Sequence, residues 1–160
     1  MGDNTEATPE AVYVEASRNQ TAKKAEQILL QSGKGFFLPT AKQKRLLLVE
    51  FARQNLVVYG KAFDVVRGAV NLNLDDSAEI AAKLDTIVLC EVKSSNRNLP
   101  DNFKGYFFAL TTAELLVAQN LKERFKFVFV NTVTGTFMEL TLQELFARAR
   151  GIYPTWSIMF

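Results

Sequence analysis

The spacing of apolar and polar residues changes several times along this chain, and each change marks an element. From Pro9 to about Gln31, Ala22, Ala25, Ile28 and Leu29 fall at helical spacing and predict a helix with one apolar stripe. Gly33 and Gly35 in "SGKG" end it in a turn; the spacing and the following Lys-Ser/Thr of a phosphate-binding loop are absent. Thr40 is a good N-cap for a second helix through "AKQKRLLLVEFARQN". Strands are expected at Leu56–Tyr59, around Phe63–Val66 and at Ala69–Leu74. "DDSAEIAAKL" fits either a short helix capped by Asp75 or a continuing strand.

Thr86–Lys93 is the clearest strand. A short strand "GYFFAL" should precede a helix, "TTAELLVAQNLKERF", capped by Thr111 or Thr112. "FKFVFVNTVTGTFMEL" predicts a hairpin around Thr134 and Gly135, followed by a last helix, "TLQELFARARG", ending at Gly151. The apolar C-terminus, with Trp156 and Phe160, is expected to pack on the body, and residues 1–8 form a polar, frayed tail. The order implies one domain over residues 1–160, of the α/β class, with a mixed central sheet flanked by helices. It lacks the regular alternation and the G-x-G-x-x-G of a dinucleotide-binding fold.

Composition narrows the chemistry. The chain has no histidine and one cysteine, Cys90, which excludes histidine-based catalysis, an internal disulfide and a cysteine-rich zinc cage. No apolar run is long enough to span a bilayer and the N-terminus lacks the order of a signal peptide, so a cytoplasmic protein is expected. The net charge of +2 says little about partners. Basic clusters at Lys42, Lys44 and Arg45, at Lys122, Arg124 and Lys126, and at Arg148 and Arg150 read first as solvated faces.

The candidate chemistry lies in "LDTIVLCEVKSS". Alternation puts Ile87, Leu89, Glu91 and Lys93 on one face of the strand and Val88, Cys90 and Val92 on the other. A strand apolar on both faces belongs in the middle of a covered sheet. Glu91 and Lys93 should then emerge at its C-terminal end, where ligands bind in open α/β sheets. A carboxylate there can ligate Mg²⁺, and a neighbouring ammonium can hold water and stabilise charge on phosphoryl oxygens.

This segment resembles the motif of the PD-(D/E)XK, or restriction-endonuclease-like, nuclease superfamily. "AFDVVRG", "LCEVKSS", "GYFFALTTAELLVAQNL" and "FKFVFVN" are similar in order to a branch of that superfamily found beside helicase and restriction modules, over Phe63 to Asn131. The resemblance implies a restriction-endonuclease-like core and a Mg²⁺-dependent endodeoxyribonuclease, with Mn²⁺ as a substitute and DNA as the partner. Glu91 matches the second acidic metal ligand and Lys93 the catalytic lysine. Cleavage of both strands favours a homodimer. A catalytically silent module of the same fold, binding DNA or protein, is the alternative; RNA cleavage is a third reading.

Three residues compete for the first acidic ligand. Asp85 lies about 20 Å from Glu91 along an extended strand, and nothing in "TIVLC" would fold the chain back. Asp64 in "FDVV" ranks first because a neighbouring strand is only about 4.8 Å away. Asp76 ranks second, though Asp75 and Asp76 look like a turn or a cap. Glu50 matches a position supplying an extra acidic group in some members, against a plainer reading as a surface or capping charge. Glu114 stands three residues after Thr111, at capping-box spacing. Ser94 and Ser95 follow the lysine as in the superfamily, and Gln119 is a minor candidate from the helix.

Overall fold

A computed structural model describes residues 9–154, with side chains from residue 19. Ten main elements follow one another: α1 (Pro9–Gln31), β1 (Phe36–Phe37), α2 (Ala41–Arg53), β2 (Val65–Arg67), α3 (Ser77–Lys83), β3 (Val88–Ser95), α4 (Thr112–Leu121), β4 (Phe125–Asn131), β5 (Phe137–Leu140) and α5 (Leu142–Arg148). The five strands form one mixed sheet in the order β1-β2-β3-β4-β5. Only β3 and β4 run parallel, and α4 lies in the connection that such a pair requires. As expected, the strand carrying Glu91 and Lys93 is central.

Alternation along β3 and β4 divides the apolar residues between two layers. Cys90, Val128 and Val130 pack with Val65 and Phe36 against Ala25 and Leu29 of α1. Leu89, Phe127 and Phe129 face the other way, into a larger core with Leu47 and Phe51 of α2, Ile80 of α3, Val117 of α4 and Leu145 of α5. Helices therefore cover both faces, which is the α/β arrangement the element order implies.

The helix caps follow the expected chemistry. Thr40, Thr111 and Thr141 each complete a reciprocal capping box. The turn before β1 depends on Gly35, at φ +77, because a Cβ there would lie 2.5 Å from the carbonyl oxygen of Gly68. Gly135, at φ +76, turns the β4–β5 hairpin.

Three expected strands do not form, for identifiable reasons. At 56–59, Leu56 and Val58 pack on the core while Val57 and Tyr59 face out, and Asn55 takes φ 60. The segment has the right periodicity but no strand beside it: the carbonyl of Val57 accepts the Asn120 side-chain amide instead. At 69–74 the chain turns, with the Leu72 amide donating to Ala69, and Leu72 and Leu74 act as buried anchors. At 105–110 the residues alternate in and out, but they rest on the sheet by side chains and join no ladder.

Smaller shifts have similar causes. Phe63 and Asp64 precede β2, and β3 begins at Val88 because Leu84–Thr86 form a 3-10 turn. Ser77–Lys83 resolves as helix, capped by Asp76. The last helix stops at Arg148, before Gly151, since Arg148, Ala149 and Arg150 are exposed and no packing holds a further turn. Residues 1–8, Trp156 and Phe160 lie outside the described residues.

Candidate functional site

The site assembles where β2 begins beside the middle of β3. Val65 pairs with Cys90 and Val66 with Leu89, so Asp64 is one step beyond the last pair, beside Glu91. There the side chain takes over from the ladder. The Asp64 amide donates to the Cys90 carbonyl at 2.9 Å, and its Oδ2 accepts the Val92 amide at 3.0 Å. Asp64 is thus fastened to the backbone between Glu91 and Lys93.

Lys93 bridges two carboxylates. Its ammonium donates to Glu91 Oε1 at 3.0 Å and to Glu114 Oε2 at 2.9 Å. Glu114 Oε2 also accepts the Thr111 amide at 3.1 Å, and the Glu114 amide donates back to Thr111 Oγ1. One residue therefore closes the capping box of α4 and orients the lysine, of which the spacing announces only the first.

The expectation that Glu91 and Lys93 emerge at the strand end needs correction. β3 continues to Ser95, Glu91 lies mid-strand with 8% exposure, and the Lys93 side chain is 12% exposed. The segment 96–111 prolongs cover beyond the strand: the Tyr106 hydroxyl donates to the Ser94 carbonyl at 2.7 Å.

Burial governs the electrostatics. It pushes the Glu91 carboxyl up to about 8; the neighbouring Asp64 carboxylate adds to this, and the Lys93 ammonium opposes it. For Lys93, desolvation alone favours the neutral amine, but Glu91 and Glu114 together outweigh it and raise its pKa above the ordinary lysine value. Lys93 is consequently an ammonium at neutral pH, suited to stabilising negative charge and unsuited to accepting a proton.

Two residues extend the site beyond what sequence reasoning assigned to it. Glu26 on α1 has its pKa raised by burial and then by the charge of Asp64, with Lys44 and Lys23 opposing. Its signal is positional: Glu26 lies four residues after Ala22 and three before Leu29, on the border of the stripe. Lys44 belongs to an expected solvated cluster, yet its ammonium donates to the carbonyls of Phe63 at 2.6 Å and Gly60 at 3.2 Å. It also stands 4.6 Å from the centroid of the Phe63 ring. Lys44 thereby fixes the residue immediately before Asp64.

The remaining candidates have other partners. Asp76 caps α3 through the Ala78 and Glu79 amides. Asp85 is 89% exposed and pairs with Arg124 at 3.3 Å. Glu50 is only 2% exposed, which corrects the surface-charge reading; it accepts from Ser77 and Arg53 and ties α2 to α3. Gln119 is exposed, and Ser95 is buried with its Oγ accepting the Arg97 amide. Burial pushes the Cys90 thiol up to about 12, so it is not a nucleophile at neutral pH.

The donor set can be compared with what a hard divalent cation requires. Among the described residues no three Asp, Glu or Cys side chains converge into a metal cage. Mg²⁺ does not need one, since one or two carboxylates with substrate oxygens and water suffice. Asp64 and Glu91 fit that set, and a cation held there would offset the Asp64 charge that adds to burial in raising Glu91. Comparison of the chain with protein-family models, with curated proteins and with solved structures gave no match.

Proposed function

We propose that this chain is a Mg²⁺-dependent endonuclease that hydrolyses DNA phosphodiester bonds, with Asp64, Glu91 and Lys93 as its central residues. The observation that carries the reading is the adjacency of two carboxylates, one fastened to β3 and one buried within it, beside an ammonium held by two acids. Asp64 and Glu91 would hold the cation, which when bound supplies Lewis-acid polarisation of the phosphoryl group and a more acidic water. Glu91 would hold the cation as the carboxylate, with its proton released to solvent. Lys93 donates to phosphoryl oxygens as charge gathers there, and Glu114 keeps the ammonium aimed. Double-strand cleavage would call on a homodimer, matching the two-fold symmetry of the duplex.

A catalytically silent nucleic-acid- or protein-binding module is the second reading. The observation favouring it is that Lys93 already satisfies Glu91 and Glu114, a network complete without any ligand. The two readings part in a plasmid-cleavage assay with Mg²⁺, Mn²⁺ or chelator. Metal-dependent nicking that disappears in Glu91→Ala supports the nuclease. No cleavage of supercoiled, relaxed or single-stranded DNA by correctly folded wild type would leave the silent module.

A further inference from the structure

Segment 96–111 carries an aromatic side chain that the nuclease reading leaves without a role. Phe107 is 79% exposed and is the only large apolar side chain of that segment exposed to this degree. Its neighbours are fixed. Tyr106 and Phe108 stack with ring centroids 5.7 Å apart, and Phe108 meets the edge of Phe129 at 4.9 Å. Phe129 is the β4 partner of Lys93 in the parallel ladder. The Tyr106 hydroxyl is bonded to Ser94, and four residues beyond Phe107 comes Thr111, whose amide meets Glu114. Tyr106 and Thr111 are therefore both tied to the immediate surroundings of Lys93, and Phe107 between them turns a bare ring to solvent.

The segment that carries the ring is polar, with two exposed cations and one exposed carboxylate, Asp101. Arg97 and Lys104 are exposed and have no ion-pair partner among the described residues, and Asn96, Asn98 and Asn102 are exposed in the same segment. A protein partner needs about 800 Å² on each side, far more than one ring offers. A base needs only a π-face for stacking, with cations nearby for the flanking phosphates.

We infer that Phe107 stacks on an unpaired base of a DNA strand whose backbone runs past Arg97 and Lys104 towards Lys93. The inference rests on the nuclease reading for the identity of the polymer and adds a substrate class to it: DNA with an unpaired nucleotide near the bond to be cut. A fully paired duplex offers Phe107 no base face unless a step opens.

Binding of fluorescein-labelled oligonucleotides, followed by anisotropy with Ca²⁺ replacing Mg²⁺, tests this apart from turnover. Phe107→Ala should weaken binding of a single strand about ten- to hundredfold, the range of one base–aromatic stack, and change duplex binding less than twofold. Phe107→Tyr should retain binding; Phe107→Leu, apolar without a π-system, should not. Arg97→Ala should flatten the salt dependence by about one counterion, which Phe107→Ala leaves unchanged. Equal behaviour of the Leu and Tyr variants, equal loss on single strand and duplex, tighter binding of the matching RNA, or no single-strand binding by wild type would each overturn the inference. Cleavage of paired DNA with no Phe107 effect would leave the nuclease reading standing. A Phe107-dependent single-strand affinity without cleavage would remove the nuclease reading and keep the stack.

Discussion

The carboxylate of Asp64 accepts the backbone amide of Val92, the residue between Glu91 and Lys93, at 3.0 Å. A bond that would normally belong to the β-ladder is made by a side chain, at the point where β2 stops pairing with β3. The sheet therefore carries the first carboxylate of the proposed site to the second, and no flexible loop has to close.

Asp64 has two separable roles, structural and electrostatic. Asp64→Asn keeps an oxygen for the Val92 amide and loses the charge; Asp64→Ala loses both. Calorimetric titration with Mn²⁺ should give at least tenfold weaker binding for both variants. Only the alanine variant should lose about 1–2 kcal/mol of stability to denaturant, from the unmet amide. Wild-type metal affinity in Asp64→Asn would remove Asp64 from the site.

Glu91 should make the metal-free protein sensitive to pH in the alkaline direction. Its carboxyl holds a proton in the folded state up to about 8, whereas the unfolded chain releases it near the ordinary 4.5. The folded state binds more protons in that window, so this contribution is fully present below the unfolded value and is lost as pH rises through about 8. Denaturation in chelator at mildly acidic and mildly alkaline pH should show the decline. Glu91→Gln should flatten it, and Mg²⁺ should offset it in wild type. A stability that rises over this window in wild type and falls in the glutamine variant would contradict the assignment.

Lys44 is expected to act on the site through Phe63. Lys44→Met keeps much of the apolar stem but leaves the carbonyls of Gly60 and Phe63 without their donor. Thermal unfolding should register a loss of about 1–3 kcal/mol. Mn²⁺ affinity should fall several-fold although Lys44 is not one of the proposed ligands, and Lys44→Arg should restore part of both. Unaltered metal binding in a destabilised Lys44→Met would limit Lys44 to the fold.

Much of this arrangement is legible in the residues. The switch from helical spacing to the run ending in "CEVKSS" marks the central strand, and neighbouring-strand geometry favours Asp64 over Asp85 as the companion of Glu91. Thr111 and Glu114 announce the cap of α4. The partner of Lys93 is not legible, because a capping-box glutamate looks the same whether or not its second oxygen reaches another element. Glu26 and Lys44 are hidden for a related reason. Each sits on a helix as an ordinary charged residue, and only tertiary packing turns it towards Asp64 or Phe63. The segments at 56–59 and 105–110 show the limit of periodicity, which reports burial on one side and cannot report whether a strand lies alongside.

Glu114 separates aiming from capping. Gln serves the capping box as well as Glu does, so the stability lost in Glu114→Gln, about 3–5 kcal/mol for a buried ammonium stripped of a partner, reports the Lys93 pair and not the cap. Lys93 would lose the negative charge that Glu114 places against it. Cleavage should slow about tenfold or more with little change in DNA binding. A full-rate variant would restrict Glu114 to the cap.

The most direct measurement for the proposed chemistry is the single-turnover cleavage rate of Lys93→Met beside its DNA affinity. In the proposed mechanism Lys93 is the ammonium that meets charge developing on the phosphoryl oxygens, so its loss should fall on the transition state. The predicted result is a rate lowered by roughly 10²–10³ at saturating DNA and Mg²⁺, with affinity within about threefold of wild type. Cleavage by Lys93→Met at the wild-type rate, or a loss confined to DNA binding, would contradict it.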